Sequence, residues 1–492
     1  MKKYFFPILL SLFFSLQCYS QHSFEISFGD PNTNDNCVFS FEFQDVFYVA
    51  GNKGLSEESL LSSAAVYKIS KAGYIITEKF LPKADSNSAF HFGFPKENGN
   101  LLFFGTLADT IDRLKARYTY LCELTPDLEM VWEKIDPIPS PPVDTTTHNV
   151  RNFLITSDQE IILQGTIDTV LYGSNSLLYL TKFDMQGNRL QFSLFPSWKD
   201  LGNSSEMIFK ADSTGFYLIG NLSLNSVVKD WIEFDLDLNI IDSGRLESES
   251  SYFLAPICAV RLKDGNIAIA NQVLESGPVL TYGVEMRLYN TDFELIKTSI
   301  YYTENKVYTP LRRSIGLAND SSIWVAAFDW ESPTGVPGKE DIIFLVYDDQ
   351  IDLMGVKVHH GDSRYYISDL LACSDEGCLI SGTASEYDGA DYSDYYLLKV
   401  QLDDVVTSTD VFYDTDYSVV IHPVPAKDRI TLSNVPESCE LIVYNVSGQL
   451  VASYYLNKGI NQLEVGSMQP GIYFASIFQN QQLIQTLKII KQ

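Results

Sequence analysis

Short apolar runs that end in a small residue recur along the middle of the chain. They occupy residues 47–51, 101–105, 161–165, 216–220, 267–270, 323–326 and 378–382. The small residues fall at 51, 105, 165, 220, 270, 326 and 382, spaced by 54, 60, 55, 50, 56 and 56. Self-similarity at a near-constant period marks a repeat architecture. Each unit has one internal order. A β-rich segment comes first, as at 149–156 or 206–210. The apolar run follows, then a polar loop of variable length. A further strand comes next, such as 179–183 or 397–400, and a tight turn closes it, clearest at Asp184-Met185-Gln186-Gly187-Asn188. A fourth strand, for example 189–195, ends the unit.

Four strands per unit with hairpin turns, seven times over, describe a β-propeller. An array of sandwiches or a β-solenoid is the other architecture with such a repeat. The small residue suits a crowded position where blades converge. Residues 23–28 read as an orphan fourth strand ahead of the first unit, while the last unit's own fourth strand, at 405–412, is weak. The N-terminal strand is therefore expected to complete the seventh blade and remove an exposed edge. Over about residues 23–410 the repeat resembles the propeller-like regions of secreted proteins from Bacteroidetes-type bacteria, a likeness of architecture that implies no activity.

Beyond residue 405 the period stops. Short strands at 430–432, 439–444, 450–455, 461–465, 472–474 and 483–490 predict a small β-sandwich. Four local motifs stand in it: Pro423-Val424-Pro425, Tyr444-Asn445-Val446-Ser447-Gly448-Gln449, Pro470-Gly471-Ile472-Tyr473, and the basic end with Lys488 and Lys491. In these residues the segment resembles the type A sorting domain of the type IX secretion system, with Val424 where that family usually has Asn. The resemblance implies Sec export, passage across the outer membrane, and cleavage with attachment to the surface or release. An ordinary sandwich module, such as a carbohydrate-binding one, shares the architecture.

The N-terminus agrees with export. Lys2 and Lys3 precede an apolar run at 4–16, and Cys18-Tyr19-Ser20 places small residues where a signal peptidase reads. Cleavage after Ser20 is expected; lipidation at Cys18 is the rival, with bulky Gln17 against it. The expected organisation is thus all-β: a signal at 1–20, a seven-bladed propeller at 21–412 and a sorting domain at 413–492. No later stretch is long and apolar enough for a transmembrane helix.

Composition narrows the partners. Tyr (29) and Phe (30) are abundant, which favours strands. The formal charge of −28 argues against nucleic acid and anionic membranes, which need a cationic footprint. The cysteines past Cys18 are too scattered for a disulfide framework. Only Cys373 and Cys378 flank a tight turn, and they read either as a hairpin disulfide or as two free thiols.

Catalytic motifs are absent: no His-Glu-x-x-His, Gly-x-Ser-x-Gly, Walker loop or dinucleotide fingerprint occurs. Adjacent His359 and His360 would point to opposite faces of a strand and make a poor joint metal site. Long loops at 52–63, 107–117, 329–341, 383–394 and 136–148 should open on one face of the ring, which is then the working face. Counting back 13 or 14 positions from each small residue gives a candidate ring at the channel mouth: Arg151, Glu206, Arg312, Arg313 and Asp369, with His91 in register. Such a funnel suits a polar glycan or protein ligand, with His91, Arg151, Arg312 and Arg313 as ligand-binding residues. It would alternatively serve a polysaccharide-active hydrolase or lyase with Glu206 and Asp369 as its carboxylates. Structural ion pairs, or a surface component without a small ligand, are the plainer readings. Asp388, Asp391 and Asp394 recur at every third position beside Gly389. Ca²⁺ is the one cofactor the sequence admits there, against a solvated acidic loop.

Overall fold

The structure is a computed structural model. It describes residues 23–30, 32–56, 59–83, 86–109, 116–139, 146–169, 176–199, 205–220, 230–246, 253–275, 281–303, 307–308, 313–319, 321–329, 341–361, 363–385, 392–406, 420–422, 426–445, 449–479 and 482–491. Two compact units divide after Val405, except that Gly355–Lys357 group with the second.

The first unit is a seven-bladed β-propeller. Blade 1 runs from the inside out as Asn36–Phe43, Val46–Ser56, Ser59–Ser70 and Ile75–Leu81. Blades 2 to 5 repeat that antiparallel order, with innermost strands Ser86–Pro95, Thr146–Ile155, Ser205–Phe209 and Phe253–Arg261. In blade 6 two short strands, Val307–Tyr308 and Ile315–Ala318, share the innermost place, both pairing with Ser322–Asp329. Blade 7 begins with Arg364–Ala372. Successive innermost strands pack side by side, and that of blade 7 returns to that of blade 1. The outermost strand of blade 7 is Phe24–Phe28, antiparallel to Ser393–Val400, so the chain's first described strand closes the ring as expected. A single helical turn, Leu402–Val406, follows the last blade.

Turns on the face opposite the variable loops are tight, as expected, and share one geometry. In the third-to-fourth-strand turns of blades 1 to 6, beginning at Ser70, Thr125, Asp184, Asp235, Asn290 and Asp348, the first N–H bonds the fifth carbonyl. The first side chain accepts the fifth N–H in return. The fourth residue has positive φ, and in four of the turns it is Leu128, Leu238, Phe293 or Ile351. That conformation costs a side-chain-bearing residue about 1–2 kcal/mol. All four side chains are buried, which offsets the strain. Phe293 of blade 5 stacks on Trp231 of blade 4 at 4.7 Å, so a turn residue helps join neighbouring blades.

The glycines of the repeat are crowded for a different reason from the expected one. In blades 1, 2, 3 and 7 the innermost strand carries a β-bulge, skipping Val38, His91, Arg151 and Ser368 from the ladder. A Cβ on Gly51 would lie 1.9 Å from the Asn36 carbonyl oxygen, and one on Gly105 would lie 1.9 Å from that of Ala89. The crowding is thus within one blade, where the strand before the bulge approaches its neighbour. Gly105→Ala is expected to cost about 3 kcal/mol, read from urea denaturation. A loss below about 1 kcal/mol would show that the first strand is not bulged there.

One expectation is corrected, and one left open between two readings is decided. Residues 52–63 do not form a long loop: the hairpin strands of blade 1 continue through Ser56 and resume at Ser59, pairing as far as Ser56 with Ser59. Of the other expected loops, 107–109 and 116–117, 383–385 and 393–394, and 136–137 and 146–148 are likewise strand, and 110–115, 330–340, 386–391 and 140–145 lie outside the described residues. Cys373 and Cys378 are free and buried. Cys373 packs in the apolar cluster shared with blade 1, while Cys378 packs in the one shared with blade 6. They face opposite sides of the blade and are not bonded.

The second unit holds a three-stranded sheet and a four-stranded sheet, ordered Gly471–Gln479 beside Cys439–Asn445 in the latter. Both sheets contribute to one core, with Ile430 and Leu432 from the first and Leu441, Val443, Ala475, Ile477 and Ile489 from the second. Among the described residues no helix is long and apolar enough to cross a membrane.

Candidate functional site

The four bulges determine what faces the centre of the ring. A bulge re-aims a side chain that a regular ladder would send into the blade. All four skipped residues, Val38, His91, Arg151 and Ser368, line one cavity of about 290 Å³. Arg313 of blade 6 joins them, with Asn36, Cys37, Phe92, Tyr366, Ile367 and Thr383 completing the wall.

Arg313 is held in an unusual backbone state. Its φ is 47°, and among the described residues it is the one non-glycine residue of positive φ outside a strand-connecting turn. Its carbonyl accepts the Leu370 N–H of blade 7 at 2.7 Å. Such strain persists where surrounding structure imposes it, and it collects at functional sites. The guanidinium carbon lies 4.2 Å from the Phe92 ring centroid and 5.3 Å from that of Phe153. Aromatic rings from blades 2 and 3 therefore fix a cation contributed by blade 6. His91 Nε2 lies 3.0 Å from Thr106 Oγ1, which ties the imidazole to its own blade.

Asp369 is buried behind this wall. Its Oδ2 accepts the backbone N–H of Ser40 at 2.8 Å and the Ser40 hydroxyl at 3.1 Å, and its Oδ1 lies 3.6 Å from Arg313 Nη1. Burial raises its carboxyl above the usual carboxylate range, against the opposing pull of Arg313 and Ser40. The contacts join blades 6, 7 and 1 where the ring closes. Asp369→Ala is expected to cost about 3–5 kcal/mol, because Arg313 and Ser40 lose their buried partner. Asp369→Asn keeps an acceptor for Ser40 and should cost about 1 kcal/mol. Equal losses in thermal denaturation would refute that account.

The remaining candidates are placed as follows. Glu206 pairs with Ile219 in an unbroken register and is not among the cavity residues. Arg312, Asp388 and Asp391 lie outside the described residues, and Asp394 pairs with Ala384 on blade 7. Among the described residues no group of three or more His, Cys, Asp or Glu is arranged to hold a metal ion. Ser368 and Val38 escaped the sequence reading because they carry no charge, although the same count back from Gly382 and Gly51 reaches them.

In the second unit the motifs have local roles. Asn445 Oδ1 accepts the Gln449 N–H at 2.9 Å, and Asn445 Nδ2 donates to Gln449 Oε1 at 3.0 Å, closing the hairpin that Tyr444 enters. Tyr473 is buried in the core, and its hydroxyl donates to the Gln469 carbonyl at 2.7 Å. Gly471 opens that strand, paired with buried Lys491, and Lys488 pairs with Phe474. Pro423, Pro425 and Gly448 lie outside the described residues.

Residues 420–492 match the family described as the secretion system C-terminal sorting domain. No curated protein matches the sequence. Among solved structures, PorZ, a surface component of the type-IX secretion system of Porphyromonas gingivalis, is 11% identical, with 93% of this chain and 70% of that chain covered at a TM-score of 0.35. The GH93 α-L-arabinofuranosidase of Fusarium graminearum is 10% identical over 64% of this chain and 92% of that one, at 0.40. Drosophila Plexin A, in complex with Semaphorin 1b, is 10% identical over 78% and 87%, also at 0.40. Likeness at that level carries no argument about activity. The sorting domain does speak to destination: the chain is a type IX-secreted or surface-attached protein.

Proposed function

We propose that this chain is an exported binding protein whose propeller takes a ligand in the cavity at His91, Arg151 and Arg313. Its first 20 residues would act as the Sec signal, and the Sec and type IX machineries are its partners on the way out. One observation supports the binding reading above the rest. Bulges in four blades turn side chains toward the same cavity, and a strained residue from a fifth joins them. The bulges of blades 1, 2, 3 and 7 thus converge on one place, while the bulge of blade 5 at Ala255 and Pro256 contributes no cavity residue. A hydrolase or lyase would need two carboxylates about 5–10 Å apart flanking the scissile bond. Asp369 is instead committed to Ser40 and Arg313, and Glu206 stands in a regular ladder.

The test is a glycan and protein-ligand screen of the full-length protein beside Arg151→Ala. A specific ligand should weaken about tenfold or more in the variant. Uniform silence, or ligands indifferent to Arg151, would favour a structural surface role instead.

A further inference from the structure

We propose that the secretion machinery holds this chain by adding a strand to one free edge of the second unit, Leu450–Leu456, with Tyr455 and Ile460 as apolar contacts. This goes beyond the binding reading and does not depend on the propeller cavity.

Three observations carry it. The first is topology. Leu450–Leu456 ends the four-stranded sheet, and Gly459–Glu464 ends the three-stranded one. Among the described residues neither has a strand on its outer side. The two are consecutive in the chain and are stitched into one margin. The Tyr454 hydroxyl donates to the Glu464 carbonyl at 3.0 Å, and the Asn461 side chain bonds both the N–H and the carbonyl of Asn457, at 2.9 and 2.7 Å. The other end of the four-stranded sheet is closed differently: buried Lys491 bridges to buried Ala426, ahead of the three-stranded sheet.

The second observation is composition. Free edges are ordinarily guarded by charge, proline or a bulge. Each of the seven outermost strands of the propeller carries a charged residue, Glu78, Glu133, Asp242 and Lys297 among them. Leu450–Leu456 reads Leu-Val-Ala-Ser-Tyr-Tyr-Leu, with neither charge nor proline. Its one register shift lies at Val451, so 452–456 pair regularly with their neighbour. A regular, uncharged edge is a template for another strand, and strand addition is a recurring mode of recognition.

The third is exposure. Among the described residues, five large apolar side chains of this unit are exposed, and four of them, Leu450, Val451, Tyr455 and Ile460, lie on this margin. Tyr455 is 87% exposed and Ile460 73%, and neither belongs to the core. An added strand would take backbone bonds along 452–456 and cover these side chains. The occupant follows from the unit's family: it is a sorting domain, so its surface is met by the machinery that sorts it. A second copy is disfavoured, because chains of formal charge −28 repel each other.

The experiment uses the full-length chain in the cells that secrete it. Tyr455→Lys combined with Ile460→Lys should lower the protein delivered to the surface and medium about tenfold or more, since edge charge opposes pairing and two apolar contacts are lost. Both side chains are exposed, so the melting transition of the tail should stay in place. Tyr455→Phe should be delivered as the unaltered chain is. So should Ile76→Lys, which puts the same charge at an exposed position of the propeller. A photoreactive benzoyl-phenylalanine in place of Tyr455 should crosslink to one component of the secretion machinery, and the adduct should vanish from cells lacking that component. Normal delivery of the double variant would overturn the proposal, as would an equal loss with Ile76→Lys. Should the double variant unfold the tail, the crosslink decides, and absence of the adduct would overturn the edge as the contact. Dimers of the purified chain that the double variant abolishes would give the edge to a second copy and overturn the assignment to the machinery.

Discussion

A chain expressed without residues 21–28 is expected to lose most of its propeller's stability. Phe24–Phe28 supplies the whole outer edge of blade 7, pairing residue for residue from Phe24 with Lys399 to Phe28 with Tyr395. Its apolar side chains also join blades that are distant in sequence. Phe28 stacks on Tyr395 of blade 7 at 5.3 Å and meets Tyr67 of blade 1 edge-on at 4.9 Å. Phe24 lies 6.3 Å from Phe47 of blade 1. Removing the strand exposes Leu397, Tyr395 and Tyr67, all now buried. Partly buried aromatic and aliphatic groups contribute roughly 1.5–2 kcal/mol each, so three of them amount to about 5 kcal/mol before any lost hydrogen bonds. A domain's net stability is about 5–15 kcal/mol. The truncated ring should melt at much lower temperature and be cleaved by protease at the blade 7–blade 1 junction. Phe28→Ala should reproduce about 2 kcal/mol of the effect. An unchanged melting temperature for the truncation would mean that the ring does not depend on this closure.

How much of this was readable beforehand follows the range of the interactions. The seven blades were legible because each apolar run is a second strand buried on both faces, and such runs appear in one-dimensional order. The closure was legible because residues 23–28 form a strand with no partner nearby in sequence. The turn at Asn445 and Gln449 was legible because its bonds are local. The bulges were not, since a bulge is a mismatch between two strands and neither strand states it alone. The count back from the small residues nonetheless reached His91 and Arg151, because glycine is needed where the bulge brings the backbone close, and it reached Arg313 from Ala326 of blade 6. It also reached Glu206, where no bulge exists and Gly220 pairs regularly with Ser205. Strand alternation decides between the two readings of Cys373 and Cys378 in favour of free thiols: a tight turn sets them close in sequence, and the faces of the blade set them apart.

Deleting residues 413–492 should abolish delivery to the surface and leave a folded propeller in the periplasm. The described core of the tail draws only on residues from Ala426 onward, so its removal takes away no part of the propeller's own clusters. The propeller should therefore retain its melting transition and its cavity, while surface labelling and the culture medium lose the protein to background. Tyr473→Ala offers a finer version. That ring is buried in the tail core and its hydroxyl bonds Gln469. Truncating a buried aromatic costs about 3–5 kcal/mol. A tail of this size buries little surface and has only a few kcal/mol to lose. The variant should thus unfold the tail, leave the propeller intact and reproduce the delivery defect of the deletion. Gly471→Ala is the matched control, because a Cβ there meets nothing nearer than 3.8 Å and should leave the fold unchanged. If Tyr473→Ala unfolded the tail and delivery continued, the machinery would be reading the linear motifs. If Gly471→Ala blocked delivery from a stable fold, it would be reading the surface around that turn. Normal delivery of the full truncation would show that the address lies elsewhere in the chain.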